Sequence, residues 1–306
     1  MKISRCCVTH GWLASGVVRW LGVAFVFGMC RSPACAADKP SVSVREAIPY
    51  TEAAGKSLLL DAYVPDTDGD RPAVIVVHGG AWRMGDRKQL AAYAQALASR
   101  GCVCFAIDYR LAPEHKFPAQ IEDCRSAVKW VRRHAGEYHV DPHRLGAIGY
   151  SAGGHLVALL ATTGEDADPQ TDDAVDTRLQ AVAAGGAPTE FREMENDGAW
   201  AEYWLGGTLK TAPEQFTAAS PAAFIDADDA PTFFFHGTRD QLVPPAWSAA
   251  MHDKLKEKGV KTEMHLVEGA NHLTAAINQK ALEAACTFLL KELESPSSSP
   301  VAPLSD

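Results

Sequence analysis

The pentapeptide Gly149-Tyr150-Ser151-Ala152-Gly153 constrains this chain more than any other stretch of it. It stands between a short apolar segment, residues 144–150, and a mostly apolar one of helical length, residues 152–163. A G-x-S-x-G turn from strand into helix is so tight that side chains two positions either side of the serine would clash, hence glycine at both flanks. Its purpose in a fold is to hold a serine hydroxyl above the end of a strand, where it can act as a nucleophile.

The rest of the chain supplies the sheet that such a turn needs. Apolar runs alternate with helix-period segments, the sequence form of a mostly parallel sheet covered on both faces. Residues 42–50 and 58–64, separated by Ala53-Ala54-Gly55-Lys56, read as an antiparallel opening pair. Further strands are expected at 73–77, 103–107, 144–150, 179–184, 231–235 and 263–267. Helices are expected at 87–100, 118–134, 152–163, 245–258 and 274–290; in the second, Ile121, Cys124, Val128 and Val131 form a single buried stripe. Residues 189–221 break the alternation after the sixth strand, with Phe191, Trp200, Tyr203, Trp204, Leu205 and Gly206-Gly207. They read either as a small cap-like insertion lining or roofing a pocket, or as a surface helix packing its aromatics downward.

The amino-terminal residues stand apart from this pattern. Lys2, Arg5 and Arg19 precede the apolar run 20–30, and Ala34-Cys35-Ala36-Ala37 follows it. This is the form of a signal peptide over residues 1–37, so an exported protein, periplasmic or secreted, is expected. Removing residues 1–36 deletes four positive charges, taking the net charge of −9 to about −13. So acidic a chain is a poor match for nucleic acid or anionic membrane, and a small or uncharged substrate is the expected partner. Residues 38–294 suffice for one large catalytic domain, and the Ser/Pro-rich residues 295–306 read as a disordered tail. Cys102, Cys104, Cys124 and Cys286 remain, and buried free thiols are the reading preferred over a disulfide from Cys102 or Cys104 to Cys124.

Serine is a weak nucleophile until a base within hydrogen-bond reach takes its proton, and that base needs an acid to orient it. In open parallel sheets reactive groups collect at the carboxyl ends of strands, which sorts the candidates. His272, in Glu268-Gly-Ala-Asn-His272, directly follows the last strand and is the candidate base. His236, ending the preceding strand, is its nearest rival, and His155, four residues after Ser151, reads as a helix packing residue. Asp240 follows the strand 231–235 and is the candidate acid, whereas Asp226, Asp228 and Asp229 precede that strand and fall at the opposite edge. The order Ser151, Asp240, His272 is that of an α/β-hydrolase, not of the chymotrypsin or subtilisin types.

An oxyanion formed from the attacked carbonyl needs preorganised N–H donors. His78-Gly79-Gly80-Ala81-Trp82 closes the third strand, and the amides of Gly80 and Ala81, with that of Ala152, are the candidate donors. Those glycines lack the Gly-Lys-Ser/Thr of a phosphate-cradling loop. Trp82, Tyr150 and Trp204 are candidate pocket residues. His134, Glu137 and His139 do not fit a zinc motif, and no dinucleotide fingerprint is present, so neither metal nor cofactor is expected.

At this point the chain resembles the α/β-hydrolase superfamily, and within it the secreted bacterial carboxylesterases with an H-G-G-x-W loop, related to the hormone-sensitive-lipase-like esterases. The resemblance runs from about residue 50 to residue 290. It rests on His78-Gly-Gly-Ala-Trp82, Asp108-Tyr-Arg-Leu-Ala-Pro113, Gly149-Tyr-Ser-Ala-Gly-Gly-His155, Ala219-Ser-Pro221, His236-Gly-Thr-Arg-Asp240 and Gly269-Ala-Asn-His272. Ala81 replaces the third glycine of the commoner pattern, which keeps the backbone donor. The resemblance implies hydrolysis of short-acyl esters, with acetylated polysaccharides or feruloyl esters among the substrates of related sequences. An amide hydrolase of the arylformamidase kind shares a similar loop and is the alternative. A non-catalytic binding protein of the same fold usually loses the nucleophile or the histidine, and this chain has both.

Overall fold

The computed structural model describes residues 39–164, 175–194 and 198–294; the expected signal peptide and the expected tail lie outside the described residues. The chain opens with the hairpin β1 (Val42–Ala53) and β2 (Lys56–Pro65), joined by Ala54 and Gly55. Both turn residues have positive φ, 51° and 73°, the requirement of a two-residue turn that matches the twist of its strands. Then come β3 (Arg71–Val77), α1 (Ala91–Ala98), β4 (Val103–Ile107), α2 (Ala119–Arg133), α3 (Ala135–Tyr138), β5 (Val140–Tyr150), α4 (Ala152–Thr162) and β6 (Ala181–Gly185). Short helices α5 (Gly198–Trp204) and α6 (Pro213–Ala218) and a 3-10 turn (Pro221–Ala223) precede β7 (Thr232–Gly237), α7 (Pro245–Glu257), β8 (Thr262–Val267), α8 (His272–Ala276) and α9 (Gln279–Glu294).

Among the described residues the strands form one sheet in the order β1-β2-β4-β3-β5-β6-β7-β8. β1, β2 and β4 pair antiparallel, and from β4 to β8 every pair is parallel. Alternation along the strands divides the core. Ala73, Ile75 and Val77 of β3 face a cluster with α2, α4 and α7, while Val74 and Val76 face one with α1 and α9. The same alternation puts Cys102, Cys104 and Cys286 on one side and Cys124 on the other. All four thiols are free and buried, and the sheet stands between Cys124 and the pair Cys102 and Cys104. Chain order reverses at β3 and β5, so a crevice opens at their carboxyl ends, where ligands bind in sheets of this kind.

Two expected helices differ from what forms. The helix expected from residue 87 begins only at Ala91, because Asp108 Oδ1 accepts the Arg87 amide at 2.8 Å and Asp86 Oδ1 accepts the Lys88 amide at 2.8 Å. Arg87 also donates to Asp61 (2.7 Å) and Asp108 (2.7 Å), which pins this turn against β2 and the end of β4. The last expected helix is two, α8 and α9, broken at Ile277-Asn278, where Asn278 Oδ1 accepts the Ala281 amide at 3.0 Å and starts a new helix.

Candidate active site

Ser151 is the hinge between β5 and α4, with φ 57° and ψ −121°, a backbone that ordinary side chains avoid. Its neighbours make the turn sterically unique. A Cβ on Gly149 would lie 2.4 Å from the Gly153 carbonyl, and one on Gly153 would lie 2.0 Å from the Val77 carbonyl oxygen. The Ser151 amide donates to Gly185 O at 2.8 Å, and its own carbonyl accepts from the His155 amide at 2.9 Å, so the turn is tied to β6 as well as to α4.

His272 Nε2 lies 2.8 Å from Ser151 Oγ, and its Nδ1 lies 2.6 Å from Asp240 Oδ2. An ionised carboxylate can only accept, so the imidazole proton sits on Nδ1 and Nε2 is left to accept from the serine hydroxyl. His272 is the first residue of α8. Asn271 caps that helix in a reciprocal box, its side chain accepting the Thr274 amide (3.0 Å) while Thr274 Oγ1 accepts the Asn271 amide (2.9 Å). Two buried phenols hold the helix from below: Tyr150 donates to the His272 carbonyl and Tyr93 to that of Ala276, each at 2.6 Å.

Asp240 is bound on all sides. Oδ1 accepts the amides of Leu242 and Val243, each at 2.9 Å, and Oδ2 accepts from His272 and, at 3.0 Å, from His236 Nε2. Burial by itself would raise its pKa, but the Val243 amide, the His272 hydrogen bond and charge, and the Leu242 amide together hold it below the ordinary carboxylate value.

The loop after β3 carries its donors on strained backbone. Gly80, Ala81 and Trp82 have φ of 114°, 52° and 59° in succession. The Gly79 amide donates to Gln89 Oε1 at 2.8 Å. Among the described residues the amides of Gly80 and Ala81 reach no backbone acceptor, and that of Ala152, first in α4, has no intrahelical one. The loop's shape is fixed elsewhere. His78 stacks on Tyr109 at 4.1 Å, Tyr109 donates to the His78 carbonyl at 3.0 Å, and Tyr203 donates to the Ala81 carbonyl at 3.1 Å.

Trp82 anchors that loop to the segment after β6. Its ring stacks on Trp204 at 3.6 Å, and its Nε1 donates to His155 Nδ1 at 3.2 Å. With Nδ1 accepting, His155 carries its proton on Nε2 and donates to Ala219 O at 2.7 Å. Both nitrogens are satisfied only in the neutral ring, and burial lowers the His155 pKa to about 4. This histidine thus joins α4, the loop after β3 and the chain before the 3-10 turn.

Ser151, His272 and Asp240 come together, with Gly80, Ala81 and Ala152 at the same edge. The candidate pocket residues do not sit as expected. Trp204 is fully buried, its Nε1 donating to Gln120 Oε1 at 3.2 Å, so it anchors the segment instead of lining an opening. Tyr150 faces the α1/α9 side of the sheet against Phe235 and supports His272. Trp82 is 6% exposed and lies among Trp204, Trp200 and Phe191. Half-buried Trp200, Tyr203 and Trp247 are the aromatics of this region that retain open surface. Gln89, which braces the loop, carried no motif, and Tyr109, inside Asp108-Tyr-Arg-Leu-Ala-Pro113, and Tyr203, inside residues 189–221, were not singled out for that role. His236, considered only as a rival base, is instead a second partner of Asp240. No group of three or more His, Cys, Asp or Glu among the described residues is arranged to hold a metal.

The family described as BD-FAE matches residues 60–255. The chain is 32% identical over 257 residues to Esterase LipQ of Mycobacterium tuberculosis, covering 79% of this chain and 61% of that protein. It spans 47% and 48% of two further mycobacterial relatives, a probable carboxylic ester hydrolase, LipM, and Esterase LipC. Among solved structures, the propionate-bound thermophilic esterase Est2 of Thermogutta terrifontis superposes with a TM-score of 0.68 at 30% identity, covering 83% of this chain and 94% of that one. A truncated carbohydrate esterase from gut microbiota superposes with a TM-score of 0.74 at 24% identity, covering 85% and 99%, a likeness of fold.

Proposed function

This chain belongs to the BD-FAE family and has the α/β-hydrolase fold, and on that footing we propose that it is a carboxylic ester hydrolase of short-acyl esters, working through Ser151, His272 and Asp240. The observation that carries the reading is the unbroken hydrogen-bond chain from Ser151 Oγ through His272 to Asp240, 2.8 and 2.6 Å, beside amides that reach no backbone acceptor among the described residues.

Ser151 Oγ attacks the ester carbonyl while His272 Nε2 takes its proton. The carbonyl oxygen becomes an oxyanion facing the amides of Gly80, Ala81 and Ala152, where each well-placed donor lowers the barrier by about 3 kcal/mol. Asp240 keeps the imidazole in the tautomer with Nε2 bare and stabilises the imidazolium that forms. His272 then passes its proton to the leaving alcohol, and the acyl group stays on Ser151. Water repeats the sequence with His272 as base and releases the acid.

The short-acyl preference draws support from the filled space around Trp82, Trp204 and Phe191 and from the propionate held by the related esterase. An acylated saccharide is the substrate proposed for an exported enzyme of this kind, with residues 1–37 as its signal. In a p-nitrophenyl ester series, acetate and butyrate should turn over faster than octanoate. Ser151→Ala should lose at least ~1000-fold in kcat with an unchanged circular dichroism spectrum. Unimpaired turnover in that variant would overturn the proposal.

A further inference from the structure

His236 is the last residue but one of β7, four residues before Asp240, and its side chain is fully buried. Its Nε2 lies 3.0 Å from Asp240 Oδ2 and 3.0 Å from Val243 O. Both are acceptors, so Nε2 must carry a proton. The other nitrogen, Nδ1, lies 2.9 Å from Ser248 Oγ on α7, and that hydroxyl lies 3.2 Å from Ala187 O. When the ring is neutral, Ser248 donates to Nδ1. When it is charged, Nδ1 donates to Ser248, whose hydroxyl turns to Ala187. In both states Nε2–H points at Asp240. Burial lowers the His236 pKa against the opposing pull of Asp240 and Val243, which favours the neutral ring.

Asp240 Oδ2 therefore serves two histidines at once, and they reach it from opposite ends of the chemistry. His272 shares a proton with the nucleophile. The hydrogen-bond partners of the His236 ring are Asp240, Val243 and Ser248, not Ser151. Resting on the ester-hydrolase reading above, we infer that His236 is a positioning residue of the reaction: its Nε2–H aims the Asp240 carboxylate at His272 and shares its negative charge.

The sign follows from the donors. A carboxylate that already accepts two amides and one N–H has less charge left to stabilise an imidazolium. Removing the His236 donor strengthens the pull of Asp240 on a protonated His272, and the enzyme then loses its base at higher pH. The titratable groups around His272 are Asp240 on the loop after β7, Tyr150 at the end of β5 and, across the carboxylate, His236; Ser151 completes the surround. Of these titratable groups only His236 is replaced in the test, and Asp240, held low, and Tyr150, pushed high by burial, keep their protonation across the acid limb.

The experiment is the pH dependence of kcat/KM for p-nitrophenyl acetate hydrolysis by wild type, His236→Leu, His236→Gln, Ser248→Ala and Ser151→Ala. Leucine removes the donor, and glutamine restores an N–H at nearly the same reach. His236→Leu should move the acid limb up by about half a pH unit or more and lower kcat about tenfold with KM little changed. His236→Gln should return the limb close to wild type. Ser248→Ala, which leaves the core filled and frees the ring, should move it in the same direction as leucine but less, and stands in if the leucine variant does not fold. A limb that stays in place in leucine or Ser248→Ala, or that moves equally in leucine and glutamine, overturns the role of His236. Full activity in Ser151→Ala, or a wild-type profile with no acid limb, overturns the ester-hydrolase reading instead.

Discussion

The two rims of the crevice are built from different materials. Where β3 and β5 end, the site is made of backbone: Gly80, Ala81, Trp82 and Ser151 all have positive φ, and an added Cβ at Gly80, Gly149 or Gly153 would meet main chain at 2.1, 2.4 or 2.0 Å. Where β7 and β8 end, the described residues between 232 and 276 include no non-glycine residue with positive φ. There Gly237 is also packed against main chain, an added Cβ meeting the Ala270 carbonyl oxygen at 2.4 Å, but the catalytic groups themselves are set by side-chain hydrogen bonds, from His236, Ser248 and Asp240 to His272. The first rim has one shape and no titratable group that its chemistry uses. The second is set by which nitrogen holds a proton, and so it answers to pH.

Glycine substitutions break that contrast most severely. Gly153→Ala drives a Cβ into the Val77 carbonyl, which no rotamer relieves, and should cost more than about 4 kcal/mol, seen as loss of soluble protein or a collapse of the urea midpoint. Gly269→Ala on the other rim has φ 71° but open space around it and should cost about 1 kcal/mol. Equal effects at the two positions would erase the distinction between the rims.

Next in size is Asp240→Asn. Four donors converge on that carboxylate, and an amide can present an acceptor to only one side of them. A fall in kcat of about 1000- to 10,000-fold is expected. Steady-state kinetics on folded protein checks it, and a loss below tenfold would mean that His272 needs no such orientation.

The smallest effect sharpens the comparison from the stability side. His155, on the nucleophile rim, is neutral when folded, with its pKa lowered to about 4, whereas the unfolded chain binds that proton near pH 6.5. A group that binds protons more readily when unfolded makes stability fall as pH drops from about 6.5 to 4, by up to about 3 kcal/mol here. His78 and His236, also lowered by burial, act in the same direction. Asp240, held below the usual carboxylate value, loses its contribution only at still lower pH. Urea midpoints should decline across that window, and His155→Gln should flatten part of the slope. A midpoint independent of pH would contradict the neutral assignment.

These residues also show what a linear reading can reach. The meeting of Ser151, Asp240 and His272 was legible because parallel strands bring their carboxyl ends to one edge, so position relative to a strand sorts one aspartate or histidine from another. The glycine pattern was legible because steric exclusion acts between neighbours in sequence. Tyr150 and Trp204 were not, because which side of the sheet a turn residue faces, and whether an aromatic roofs a space or fills it, depends on what packs against it. His236 escaped for a related reason: its role is fixed by Ser248 on the next helix and by a loop that curls Asp240 back over it. The break between α8 and α9 rests on Asn278, whose side-chain oxygen accepts the Ala281 amide inside a run that otherwise keeps helical spacing.

The central claim, that Ser151 is the alcohol activated by His272, is tested most directly by reacting the protein with diethyl p-nitrophenyl phosphate and locating the adduct by peptide mass spectrometry. One diethylphosphoryl group per chain on the Ser151 peptide is expected, absent in Ser151→Ala and formed far more slowly in His272→Ala. An adduct at another residue, or one that forms equally fast without His272, would contradict the account.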